Sequence, residues 1–297
     1  MTLPTFIVIG AAKAGTTALY WYLAEHPEVL MSAVKEPNYF AYGLDDGGRP
    51  LYGDPELHRF PVRTSAAYEA LFAGGRGELA VGEASAIYLE CPQTAARIAS
   101  AIPDARIVCG LRDPVDRAYS DYQMYLRSRG RRLDERREVA AGASWARPDS
   151  HWVRIGMYHE MLSRYFDVFP RERIHVYLFD DLLREPAGVL SHLYGFVGVD
   201  PSFTPDTDTP HNVGGVPSNM ALERVLTSDG LRRVVEPLIP RRVANRVRQL
   251  RTKNLRKAPP LPPALREQLA ACFHDDIVRT SELIGRNLDA WLAPTRV

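Results

Sequence analysis

Short apolar runs alternate with stretches of helical periodicity along this chain. The runs fall at Phe6–Ile9, Val29–Met31, Glu78–Val81, Arg106–Leu111 and Ile174–Phe179, each of a length suited to a buried strand. Between them, apolar positions recur at three- and four-residue spacing over Thr17–Glu25, Ala66–Phe72, Pro92–Ala101, Val115–Arg127, Tyr158–Phe169 and Ala187–Val197, which predicts helices. Strand–helix alternation predicts an α/β fold with a mostly parallel central sheet flanked by helices on both faces. A helical pair over Ala264–Cys272 and Asp276–Ile284 is expected to pack back onto it. With no internal repeat and no clear boundary, residues 1–297 read as a single domain.

Three stretches interrupt the alternation. Residues 42–64 form a Gly/Pro/aromatic segment carrying Tyr42, Tyr52, His58 and Phe60, long enough to be a lid or pocket wall. Residues 200–218 are rich in Pro, Thr, Asp and Gly and include His211. Residues 241–257 hold eight basic residues and no acidic one.

Charge and cysteine usage narrow the class. With 37 basic and 36 acidic residues there is no global field to recruit nucleic acid. Three scattered cysteines, Cys91, Cys109 and Cys272, do not suggest a disulfide framework or a zinc site. No apolar run is long enough to span a bilayer, so a soluble, cytoplasmic protein is expected.

The chemistry concentrates at strand ends, where ligands of parallel sheets gather. After the first strand, Gly10-Ala11-Ala12-Lys13-Ala14-Gly15-Thr16-Thr17 is a small-residue loop opening a helix, a junction that aims backbone N–H groups and a positive helix end at an anion. It departs from the G-x-x-x-x-G-K-[ST] phosphate loop: the glycines keep the spacing, but Lys13 precedes the second one. The fold is therefore read as P-loop-like. The plain alternative is a glycine-bearing turn with a surface lysine.

A second anion site is expected at Arg112, which follows an apolar strand, together with Ser120, two turns into the next helix. The alternative there is an Arg112 pair with Asp113 or Asp116. In Val34-Lys35-Glu36-Pro37-Asn38-Tyr39-Phe40, Pro37 takes Glu36 out of helical geometry and leaves a carboxylate placed to act as general base. A solvated Lys35–Glu36 pair is the alternative. Glu83 and Ser85, expected at another strand end, join Asn38 and Tyr39 as candidate substrate-binding residues, with helix capping by Ser85 as the alternative.

With these segments in this order, the chain resembles sulfotransferases that use 3'-phosphoadenosine 5'-phosphosulfate (PAPS), in the branch of bacterial small-molecule enzymes and heparan sulfate sulfotransferase domains. The resemblance runs from Phe6 to about Leu292. It includes Arg154-Ile155-Gly156-Met157-Tyr158-His159, Phe179-Asp180-Asp181-Leu182 and the stretch from Cys272 to Trp291. It implies that Lys13, Ala14, Gly15, Thr16 and Thr17 bind the 5'-phosphosulfate, that Arg112 and Ser120 bind the 3'-phosphate, and that Glu36 is the catalytic base. Arg251, Lys253 and Arg256 fall where the family closes a loop over the nucleotide. Asn38 and Ala84 stand where heparan-type enzymes carry histidine and lysine, which weakens the case for a polyanionic glycan acceptor.

The resemblance implies a sulfotransferase moving the sulfuryl group of PAPS onto the hydroxyl of a small molecule, glycolipid or sugar. Adenosine 3',5'-bisphosphate is the leaving product, and no metal is needed. A phosphate-loop kinase or NTPase and an inactive nucleotide-binding scaffold remain as rivals.

Overall fold

The computed structural model describes residues 3–42, 62–128, 143–207, 216–219, 255–256 and 258–293. Most of the expected lid, His211, Arg251 and Lys253 lie outside them.

The central sheet has five strands, β1 (Phe6–Gly10), β2 (Val29–Met31), β3 (Ala80–Ala84), β4 (Arg106–Leu111) and β5 (Ile174–Leu178), in the order β2-β3-β1-β4-β5. Every pairing is parallel. All five carboxyl ends therefore emerge on one edge. β1, at the centre, is fully buried. Its alternation sends Ile7 and Ile9 to one core with Ile107, Cys109 and Leu111, and Phe6 and Val8 to the other with Val108 and Tyr177. Burying side chains of this kind stabilises the fold by about 1.5–3 kcal/mol each.

Helices cover both faces, giving the P-loop-like α/β architecture. On one face lie α1 (Thr16–Glu25) and the helix Pro186–Val197. On the other lie α3 (Ile87–Glu90), α4 (Thr94–Ala101), α5 (Pro114–Ser128), Tyr158–Phe166 and Pro263–Ile284; the short α2 (Ser65–Glu69) precedes β3. A small antiparallel ribbon pairs Val216–Pro217 with Leu255–Arg256. Among the described residues, no helix is long and apolar enough to cross a membrane.

Two expectations are corrected. The terminal helical pair is one continuous helix, Pro263–Ile284. No glycine or proline interrupts Phe273–Asp276, and the buried stripe Leu265, Leu269, Phe273, Ile277, Thr280 and Ile284 runs through unbroken. The third strand occupies Ala80–Ala84 rather than Glu78–Val81, because Gly82, Glu83 and Ala84 pair with Phe6, Ile7 and Val8.

Candidate active site

The β1–α1 loop starts where backbones approach closely. At Gly10, φ is +147° and an added Cβ would stand 2.6 Å from the Gly110 carbonyl oxygen. Ala11 N–H donates to that same carbonyl at 2.8 Å. At Gly110, in turn, an added Cβ would meet the Tyr177 hydroxyl at 2.4 Å. That hydroxyl reaches past it to donate to the Ala14 carbonyl at 3.1 Å. Tyr177, on β5, thus pins the loop from beneath, a role that only the small residue opposite it hints at in the sequence.

The loop turns at Lys13, whose φ is +72°, and at Gly15, φ +80°, which is the N-cap of α1. Ala14 N–H donates within the turn to the Ala11 carbonyl at 3.1 Å. Helix α1 has no side-chain cap and no acidic residue in its first turn. The Thr16 and Thr17 N–H groups head the helix dipole, the arrangement that attracts an anion.

Cations gather around this helix start. Arg112, just beyond β4, donates from Nη1 to the Lys13 carbonyl at 3.1 Å, and its guanidinium lies 4.8 Å from the Phe179 ring centre. Phe179 also packs against Gly15, where an added Cβ would meet its ring at 2.9 Å. One aromatic ring therefore ties the two expected anion subsites together, and it stands at the end of β5, the same sheet edge. Asp113 caps α5 by accepting from Val115 N–H at 2.8 Å, while Asp116 pairs with Arg266 at 2.5 Å. Burial lowers the Arg112 pKa, opposed by Asp116.

The Lys13 ammonium lies 3.5 Å from Met124 Sδ. Met124 is one turn beyond Ser120 on α5, so the two share a helix face. The loop lysine and Ser120 are thereby placed on one side of the site. Burial lowers the Lys13 pKa; Asp121 opposes this, while Arg127 and Arg112 add to it. Arg256 is exposed in the two-stranded ribbon, whose other strand, Val216–Pro217, packs against α5. The Tyr119 hydroxyl ties α5 to Pro259, just beyond, at 2.8 Å.

A support for Arg112 that the sequence did not reveal comes from the C-terminal helix. Asp276 accepts from Tyr158 N–H at 2.6 Å and His159 N–H at 3.2 Å, capping the helix Tyr158–Phe166. The Tyr158 hydroxyl then donates to the Arg112 carbonyl at 2.8 Å.

The segment after β2 reaches the same edge by a different route. Glu36 N–H donates to Ala84 O at 2.9 Å, and Ser85 N–H to Val8 O at 2.9 Å, which connects the segment to the end of β1. The Lys35 ammonium contacts Glu36 Oε1 at 2.5 Å, and the Glu36 side chain is 44% exposed. The Lys35–Glu36 pair is thus present, with its carboxylate facing solvent. Tyr39 is half-buried and stacks on Tyr68 at 4.6 Å. Asn38 is buried, and its Oδ1 has no hydrogen-bond partner.

Glu83 and Ser85 are both fully buried. The structure places them beneath the Glu36 segment, not on a surface open to an acceptor. Glu83 accepts from Tyr68 Oη at 2.8 Å and Ser85 Oγ at 2.7 Å. Burial pushes its carboxyl up to about 7, against the hydrogen bonds from Ser85, Tyr68 and Tyr88. Trp145 is also core, stacked on Tyr122 at 4.5 Å, whereas Trp152 is half-buried.

Comparison with known proteins bears on the fold and the family. Residues 62–205 match the sulfotransferase family. Mouse bifunctional heparan sulfate N-deacetylase/N-sulfotransferase 4 is 28% identical over 98% of this chain, which spans 31% of that protein's length. Human carbohydrate sulfotransferase 15 is 34% identical over 48% of this chain and 30% of its own. The crystal structure of a sulfotransferase from Alicyclobacillus acidocaldarius superposes with a TM-score of 0.71 at 32% identity, covering 99% of this chain and 100% of the other. Alike in fold and in sequence over its whole length to that enzyme, the chain belongs to the sulfotransferase family.

Proposed function

We propose that the protein transfers the sulfuryl group of PAPS in line to an acceptor hydroxyl. The observation that carries this reading is the meeting of the uncapped α1 N-terminus, Lys13 and Arg112, with Arg112 bonded to the loop's own backbone. Two cations and a helix start at one edge suit a ligand with two separated anionic groups. Gly15, Thr16, Thr17 and Lys13 would hold the 5'-phosphosulfate. Arg112 and Ser120 would hold the 3'-phosphate, with Arg256 approaching from the ribbon beside α5.

In the reaction, the acceptor oxygen attacks sulfur as the bond from sulfur to the bridging oxygen breaks. Glu36 takes the acceptor proton. Lys13 neutralises the charge developing on the bridging oxygen, and adenosine 3',5'-bisphosphate leaves. Positioning and charge stabilisation dominate such a transfer, as in phosphoryl chemistry. Tyr39, half-buried beside the base, would meet a small-molecule or carbohydrate acceptor. The names of the heparan sulfate and carbohydrate sulfotransferases support that acceptor class.

Thermal-shift titration tests the nucleotide assignment. Adenosine 3',5'-bisphosphate should stabilise the protein without magnesium, by about 2.7 kcal/mol at a hundredfold excess over Kd. Mg-ATP should not. Stabilisation by Mg-ATP alone would favour the kinase reading. Incubating a small-molecule cell extract with enzyme and PAPS, and searching for products heavier by one SO3 group, identifies the acceptor.

A further inference from the structure

The segment that carries Glu36 is bent in a way its sequence resists. Glu36 and Asn38 both have left-handed backbones, φ +60° and +56°, on either side of Pro37. A left-handed glutamate is uncommon, and non-glycine residues in that region cost on the order of 1–3 kcal/mol each. Such a conformation persists only where its surroundings hold it.

Three backbone donors of the bend are held by one short stretch of chain. Glu36 N–H goes to Ala84 O at 2.9 Å. Asn38 N–H goes to Ser85 Oγ at 3.2 Å, and Phe40 N–H to Tyr88 Oη at 3.2 Å. Two of the acceptors are hydroxyls, which rotate and can present either a proton or a lone pair. The Glu83 carboxylate fixes the first of them. Ionised, above about pH 7, it has acceptors only, so Ser85 Oγ donates to it at 2.7 Å and turns a lone pair toward the bend. Tyr68, donating to the other carboxylate oxygen at 2.8 Å, holds Glu83 itself in place.

We propose that Glu83 is a positioning residue for the reaction: by orienting the Ser85 hydroxyl, it locks the left-handed Glu36–Asn38 bend and so aims the Glu36 carboxylate. The inference rests on the reading of Glu36 as general base. It also gives a reason for an acidic side chain inside a parallel sheet, where an unpartnered charge is strongly disfavoured.

A double-mutant cycle tests it. Turnover is read as adenosine 3',5'-bisphosphate released from PAPS in the presence of a small-molecule cell extract. Affinity is read separately by titrating adenosine 3',5'-bisphosphate. Ser85→Ala and Glu83→Gln should lower kcat, by up to about 10²-fold for a base displaced by an ångström, with nucleotide affinity unchanged. Ser85→Thr, which keeps the hydroxyl, should restore most of the loss. In a Glu36→Gln background, Ser85→Ala should have no further effect, because residues acting through one group are not additive.

An equal loss in both backgrounds would overturn the inference, as would a parallel loss of nucleotide affinity. Tyr68→Phe leaves all three acceptors of the bend in place and should lower kcat less than Ser85→Ala; a larger loss would also count against it. Full turnover in Glu36→Gln alone would overturn the base reading itself, a result distinct from additivity within the cycle.

Discussion

At the end of β1, two cations, Lys13 and Arg112, gather at the start of a helix. Helix α1 starts without a side-chain cap, and Lys13 and Arg112 are held close enough that each is affected by burial and by nearby charge. At the end of β3 the opposite holds. The Glu83 carboxyl is closed in by the hydroxyls of Tyr68, Ser85 and Tyr88, and these in turn meet the backbone of the Glu36 segment. A surface meant to receive an anion leaves its donors open. A scaffold meant to hold a catalytic group in a strained position satisfies its members internally.

Substitutions at the two ends should therefore fail differently. Lys13→Ala has the larger expected effect. Losing a group that stabilises charge in the transition state typically lowers kcat ~10²–10³-fold, and this loss should exceed any change in acceptor KM. A pure KM effect would move Lys13 out of the leaving-group role.

Glu83→Gln should show itself in stability against pH as well as in turnover. The carboxyl is raised from 4.5 to about 7 in the folded protein. Between those values the native state keeps a proton that the unfolded chain releases, so stability is full below pH 4.5, falls as pH rises and levels off above about 7. At 1.36 kcal/mol per unit, the contribution lost is roughly 3 kcal/mol. Denaturant unfolding of wild type and Glu83→Gln at pH 4.5, 6 and 8 should show the variant lacking this slope. Parallel curves would mean that Glu83 does not titrate in this window.

The same contrast explains what the sequence disclosed. β4 was legible to the residue and β1 to within one, because each is an apolar run buried on both faces. The meeting of Lys13 and Arg112 beside one helix start was legible too, since glycine spacing, a lysine and an arginine at strand ends are local features. The scaffold side was not. A charged Glu83 reads as the end of a strand, yet the strand runs through it because Tyr68, Ser85 and Tyr88, brought together by the fold, satisfy its carboxyl. The residue before proline is expected in extended geometry, but Glu36 is left-handed because Ala84, Ser85 and Tyr88 hold the bend. Long-range hydrogen bonds decide both, and no periodicity records them. The supports of Arg112 from Tyr158 and Asp276 were hidden for the same reason, with Tyr158 and Asp276 lying 118 residues apart.

Nucleotide binding and proton removal thus fall to separate parts of the edge in the proposed reaction. Parallel measurement of adenosine 3',5'-bisphosphate affinity and of turnover from PAPS in Glu36→Gln tests it most directly. Wild-type affinity is expected, with turnover reduced ~10²–10⁴-fold, the usual contribution of a positioned base. Near-wild-type turnover, or a loss of affinity matching the loss of turnover, would contradict it.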